Sequence, residues 1–216
     1  YKLIWQLRSQ YDNVFVHMNQ IYVILGAPLW RVWGKRIGLW YMHGSTSFSL
    51  RVAEKLTHKI FTGSPESCRL VSEKIVVTGH GIDTNHFAPD ASIGKSIDLI
   101  TFGRITRSKN LLHLVDLLAQ IRKSIDVTLT IVGGAVTDDE QHYENELRAH
   151  IKTLDLSKYV HLPGRVVQAE LPTLLNQSKL FVTVAQNGSL DKAILEVMAC
   201  GLPVVSMAPG TQSLAL

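Results

Sequence analysis

The chain has 216 residues, 46% of them hydrophobic, with 22 Lys and Arg against 18 Asp and Glu for a formal net charge of +4. That length permits one large domain or two small ones around a real core, and the apolar content excludes a disordered chain. The charge is too mild and too scattered to argue for a nucleic-acid partner. The two cysteines, Cys68 and Cys200, lie far apart without metal-ligand spacing, so they suggest neither a disulfide framework nor a zinc site and point to a reducing compartment.

In chain order, the opening on Tyr1 enters in mid-pattern, as a fragment of a longer protein would. Residues 1–10 carry Lys2 and Arg8 without a clean apolar core ahead of a cleavage site, so no signal peptide is expected there. Strands are predicted over 14–18, 39–42, 59–62 and 74–77, with a helix over 50–58. The nearly apolar run 21–30 is interrupted by Gly26 and Pro28 and has half the length of a membrane-spanning helix. Trp30, Arg31, Trp33, Lys35 and Arg36 then bring aromatics and cations together, which suits either a membrane interface with anionic lipids or a core helix with a charged outer face. His43 follows a predicted strand at its carboxyl end, where a polar group can face a ligand cleft. Glycine and proline cluster over 79–89 and periodicity stops, which predicts a connector and a domain boundary near residue 92.

From Ser96 onward the pattern is more regular. Strands are predicted over 97–102, 127–132, 159–162, 180–183 and 204–207, with helices over 110–122, 140–153, 169–177 and 192–200. Such alternation predicts a parallel sheet with crossover helices, a Rossmann-like domain. Right-handed crossovers put the loops starting at 103, 133, 163 and 185 on one edge of the sheet, where they should frame one site.

Two segments there carry chemistry. Residues 103–110, GRITRSKN, lie between a strand and a helix: a glycine permits a tight turn, a helix amino terminus offers free N–H groups, and Arg104 and Lys109 can neutralise a diphosphate. Arg107 is a third candidate unless it is merely solvated. The spacing is not that of a P-loop. In residues 188–205, GSLDKAILEVMACGLPVV, Ser189 can cap a helix, Asp191 favours its positive end, and Lys192 and Glu196 stand at i and i+4 on one face. Read alone, the first segment could be a basic surface loop and the second a surface ion pair. No Asp-x-Asp pair lies in a loop, and Asp138 with Asp139 read as a helix cap.

Together, Gly103-Arg104, Lys109-Asn110, Pro163-Gly164-Arg165-Val166, the run from Leu195 to Val204 and the connector from Val77 to Phe87 resemble the retaining GT-B glycosyltransferases of the glycosyltransferase 4 group. The resemblance implies two Rossmann-like α/β domains facing a cleft, an incomplete acceptor-side domain over 1–92 and a donor-binding domain over 93–216 truncated at its end. It implies transfer of a sugar from a UDP- or GDP-linked donor to a hydroxyl with retention of configuration, without metal or other cofactor. The acceptor is expected to be a glycan or a lipid-linked molecule, in polysaccharide, glycolipid or cell-envelope synthesis. The expected location is cytoplasmic, with peripheral contact at the membrane face as an option.

Carried over by position, Arg104 and Lys109 would hold the donor diphosphate and balance charge on the leaving nucleotide. Glu196 would accept from the ribose hydroxyls, the backbone at Arg165 and Val166 would meet the base, and Gly103, Asp191, Lys192 and Leu195 would complete the donor site. His43 would bind donor sugar or acceptor, while His80 and His86 would be structural. The family commonly has a glutamate eight residues before the one corresponding to Glu196; here that position is Gly188. This departure leaves open a nucleotide-sugar-binding module without catalysis; a second alternative is a nucleotide-sugar 2-epimerase on the same fold, which would want extra acids and histidines in the cleft.

Overall fold

The computed structural model describes residues 1–185, 191–208, 211 and 214. It divides into two compact units, residues 1–80 and residues 81 onward.

In the first unit, β1 (Asn13–His17), β2 (Arg36–Trp40), β3 (Lys59–Thr62) and β4 (Ile75–Val77) form a parallel sheet in that order. α1 (Lys2–Gln6), α2 (Gln20–Val32) and α3 (Phe48–Leu56) accompany it. Alternation along β2 turns Ile37 and Leu39 into a core with Val16, Val23, Ala27, Leu50 and Ile60. The interrupted run 21–30 is thus a helix, capped by the Asn19 side chain, which accepts from the Ile21 N–H at 3.1 Å.

The cations and aromatics after that run serve the fold. Trp30 is 7% exposed and donates its indole N–H to the Tyr11 hydroxyl at 3.2 Å. Trp33 meets Trp5 edge-on at 5.6 Å. Arg31 donates to the carbonyls of Lys55 and Leu56, closing the end of α3, and Lys35 donates to the Tyr11 carbonyl beside Asp12. Trp30 is thus a core residue, while the exposed side of α2 carries Ile21, Tyr22, Leu25 and Val32.

The second unit is built on β5 (Ile97–Phe102), β6 (Leu129–Val132), β7 (Val160–Gly164), β8 (Ser178–Thr183) and β9 (Val204–Ser206), all parallel in the order β7-β6-β5-β8-β9. α4 (Leu111–Ile121), α5 (Asp138–Thr153), α6 (Leu171–Gln177) and α7 (Lys192–Ala199) are the crossovers. One core holds Leu114, Val115, Leu118, Leu129, Ile131 and Leu147; another holds Phe87, Ile100, Leu175, Phe181, Ile194 and Val197. Two such cores are what a parallel sheet covered on both faces needs. Cys68 and Cys200 are buried in separate cores, and burial raises the pKa of both thiols.

The division falls at 80/81 rather than near 92, because the connector packs on the second unit. Phe87 is buried in that core, His86 sits edge-on to it at 4.9 Å and meets the Gln168 carbonyl at 3.1 Å, and Asn176 donates to the Ala88 carbonyl while accepting from the Asp90 N–H. Sequence order reverses between β5 and β8, so the crevice outside their carboxyl ends is the topological switch point of the sheet.

Candidate functional site

At the carboxyl edge of the second sheet, glycines stitch the strand ends together. Gly103 donates its N–H to the Val132 carbonyl at 2.9 Å, and Gly133 donates to the Gly164 carbonyl at 2.8 Å. Gly133 has φ +143°, and a Cβ built on it would lie 1.8 Å from the Gly103 carbonyl oxygen. Only a residue without a side chain permits that approach. The backbone so drawn in borders a cavity of about 330 Å³, lined by Phe102, Arg104, Val132, Arg165, Val166 and Leu171 among others. Arg165 reaches over to the Ala135 carbonyl.

Arg104 lies on the rim with its side chain 64% exposed and pairs with Glu140. Glu140 is held from a second side: it accepts from the Val136 N–H at 2.7 Å and the Thr137 N–H at 3.3 Å, while Thr137 accepts from the Glu140 N–H. This capping box, rather than Asp138 or Asp139, starts α5. The Val136 N–H, then Thr137 and the Arg104 charge, hold the Glu140 carboxyl below its ordinary pKa. Asp98, at the other end of β5, is lowered likewise by Lys179 and by Thr128. Carboxylates depressed in the folded state stabilise it fully above their unfolded pKa values and lose that contribution as pH falls through the folded ones. Thermal stability should therefore drop below about pH 4, and a circular-dichroism melt series should show a flatter decline when Asp98→Asn and Glu140→Gln are combined.

The loop after β5 continues through a 3-10 turn at Arg107–Lys109 and enters α4 through Asn110, whose φ is +52°. Arg107 turns away from the cavity: it pairs with Glu146 at 2.9 Å and its guanidinium lies 5.1 Å from the centre of the Tyr143 ring. Lys109 turns the other way, across the switch point, and forms an ion pair with Asp191 in which each side chain is about one-fifth exposed. Asp191 is also the N-cap of α7, accepting from the Ala193 N–H at 3.2 Å. The Ser189 cap and the Gly188 substitution lie outside the described residues. Lys192 and Glu196 form the expected i, i+4 pair at 3.2 Å, with the Glu196 side chain 10% exposed and Lys192 open to solvent. Leu195 is half-buried beside them.

The structure thus brings together Gly103, Arg104, Arg165 and Val166 around the cavity, and Lys109 with Asp191, Lys192 and Glu196 at α7. His43 belongs to the first unit, exposed after β2 with its ring 5.9 Å from that of Tyr41. Glu140, which orients Arg104, was not read as a site residue, although Thr137 followed three positions later by Glu140 is a legible capping signal. Among the described residues, no three His, Cys, Asp or Glu side chains cluster as metal ligands. No helix there is long and apolar enough to cross a membrane.

Residues 83–213 match the glycosyl transferases group 1 family. The chain belongs to this family. It is 27% identical over 137 residues to the GDP-mannose:cellobiosyl-diphosphopolyprenol alpha-mannosyltransferase of Xanthomonas oryzae, covering 63% of the chain and 35% of that enzyme. It is 28% identical over 184 residues to the D-inositol 3-phosphate glycosyltransferase of Pseudarthrobacter chlorophenolicus, covering 77% of the chain and 43% of that enzyme. The matched part of the chain therefore spans about a third to two-fifths of the length of these relatives. Among solved structures, Anabaena Alr3699/HepE in complex with UDP superposes over all of this chain and 65% of its own with a TM-score of 0.84 at 24% identity. Sucrose-phosphate synthase from Thermosynechococcus elongatus does so over 61% of its chain with a TM-score of 0.79 at 16% identity. The α/β fold, with its parallel sheets, is part of the GT-B glycosyltransferase fold.

Proposed function

We propose that this chain is the greater part of a metal-independent glycosyltransferase that moves a sugar from a nucleotide-diphosphate donor to a hydroxyl acceptor with retention of configuration, in the synthesis of a polysaccharide or other envelope glycan. The observation that carries the donor half is the convergence, within one unit, of the glycine-stitched cavity and of Lys109 at the amino end of α7. A base fits against Val166 and the backbone at Arg165, and the ribose hydroxyls donate to Glu196. Arg104, Lys109 and the α7 amino terminus face the diphosphate and stabilise the negative charge that grows on it as the glycosidic bond breaks. The acceptor hydroxyl then attacks from the leaving-group face, and the departing phosphate takes its proton. That the neighbouring Alr3699/HepE has been solved with UDP and with UDP-glucose supports the choice of donor class.

Calorimetry and thermal shift with UDP and GDP test this reading. One diphosphate at about a hundred times its Kd should add about 2.7 kcal/mol of stability, and Arg104→Ala and Glu196→Ala should each shrink the shift. Undiminished shifts in both variants would remove the site. Binding without transfer or hydrolysis of any nucleotide sugar, across an acceptor panel, would favour the binding-module reading that Gly188 motivates.

A further inference from the structure

Each cation expected to meet the diphosphate is already paired with a carboxylate: Arg104 with Glu140, Lys109 with Asp191 and Lys192 with Glu196. The three pairs differ in what a ligand would have to do. Arg104 is largely exposed and has further donors to turn outward while it keeps Glu140. Lys192 is half-exposed. Lys109 and Asp191 are both mostly withdrawn from water, and Lys109 lies folded over Gly103, its Nζ 3.4 Å from where a glycine Cβ would stand. An anion reaching Lys109 meets an ammonium already paired with Asp191, whose carboxylate is also held by its bond to the Ala193 N–H.

We infer that Asp191 is a built-in counter-anion to Lys109 that selects against the free nucleoside diphosphate, so that the spent product leaves while the sugar-linked donor is retained. The inference rests on the reading of Lys109 as a diphosphate ligand. Among the described residues, Lys109 and Asp191 pair with each other, and the next charges on α7 are Lys192 and Glu196, which pair together. A sugar diphosphate is a diester at its outer phosphorus; the free diphosphate ends in a monoester whose second ionisation lies near pH 6, so it carries one more negative charge above that pH. A fixed carboxylate at ion-pair range penalises that extra charge more than it penalises the donor. Asp191 is therefore a specificity-determining residue acting through charge.

The test is isothermal calorimetry of UDP and UDP-glucose on the full chain and its Asp191→Asn variant at about pH 8, where the terminal phosphate is fully ionised. Asparagine is as good an N-cap as aspartate, so α7 keeps its start and the melting temperature serves as a folding control. The expected result is that Asp191→Asn tightens UDP about tenfold and UDP-glucose by less than half of that factor, while Asp191→Glu, which keeps the charge, leaves the ratio of the two affinities close to that of the parent. Unchanged or weaker UDP binding in Asp191→Asn, or equal tightening of both ligands, overturns the inference. A parent chain that binds neither UDP, GDP nor UDP-glucose sinks the donor-site reading itself, and with it this one.

Discussion

Gly133→Ala should cost the second unit about 4 kcal/mol or more and abolish nucleotide binding. Its φ of +143° is a region that side chains rarely adopt, and the new methyl would stand 1.8 Å from the Gly103 carbonyl oxygen and 2.9 Å from its carbon. Backbone strain of this kind accounts for about 1–3 kcal/mol. The rest comes from the clash, since neither atom belongs to a flexible side chain. Relief requires pushing β5 and β6 apart at their carboxyl ends, which breaks the Gly103-to-Val132 hydrogen bond and reshapes the cavity lined by Gly103 and Gly133. Gly134→Ala is the control: the atoms nearest its methyl would be those of the exposed Arg165 side chain, at 3.2 Å and beyond, which can give way by loosening its bond to the Ala135 carbonyl. Urea unfolding and UDP titration should separate the two variants. A Gly133→Ala chain that melts with its parent and still binds would show that the two glycine loops move apart without cost.

Much of this architecture is legible in the order of residues. Strands β3 and β5 run over the predicted residues, and the crossover helices of the second unit start and stop within two residues of expectation. The regularity of a buried parallel sheet makes it so, because apolar runs and amphipathic helices there differ in period. α2 was illegible for the opposite reason: its apolar residues point outward as well as inward, Tyr22, Leu25 and Val32 being exposed and Val23, Ala27 and Trp30 buried, so no helical period stands out. Gly26 and Pro28 inside it read as breakers. The candidate site divides along a similar line. Arg104, Lys109, Asp191 and Glu196 are recognisable by position, whereas their pairing is not. Glu140 lies 36 positions from Arg104 and Asp191 lies 82 from Lys109, and only the strand order places them side by side.

Lys109→Ala should weaken UDP binding by about a hundredfold or more, because it removes the most desolvated cation of the site and leaves Asp191 in its place. The same change should lower stability by about 2 kcal/mol, less than the ~3–5 kcal/mol for breaking a fully buried pair, since each partner retains about one-fifth of its exposure. These two effects have different origins, and a second substitution separates them. Removing both charges in Lys109→Ala, Asp191→Asn relieves the unpaired carboxylate while preserving the cap on Ala193, so stability should return to near that of the parent. Affinity should recover only in part, by relief of repulsion, because no ammonium remains to meet the phosphate. If the double variant regained both stability and full affinity, Lys109 would be a structural residue held by Asp191, and the diphosphate would have to be bound by Arg104 and the α7 amino terminus alone. If it regained neither, the carboxylate would be supporting the loop by more than its charge. The expected split, restored folding with persistently weak binding, is the signature of an ion pair that a ligand takes apart.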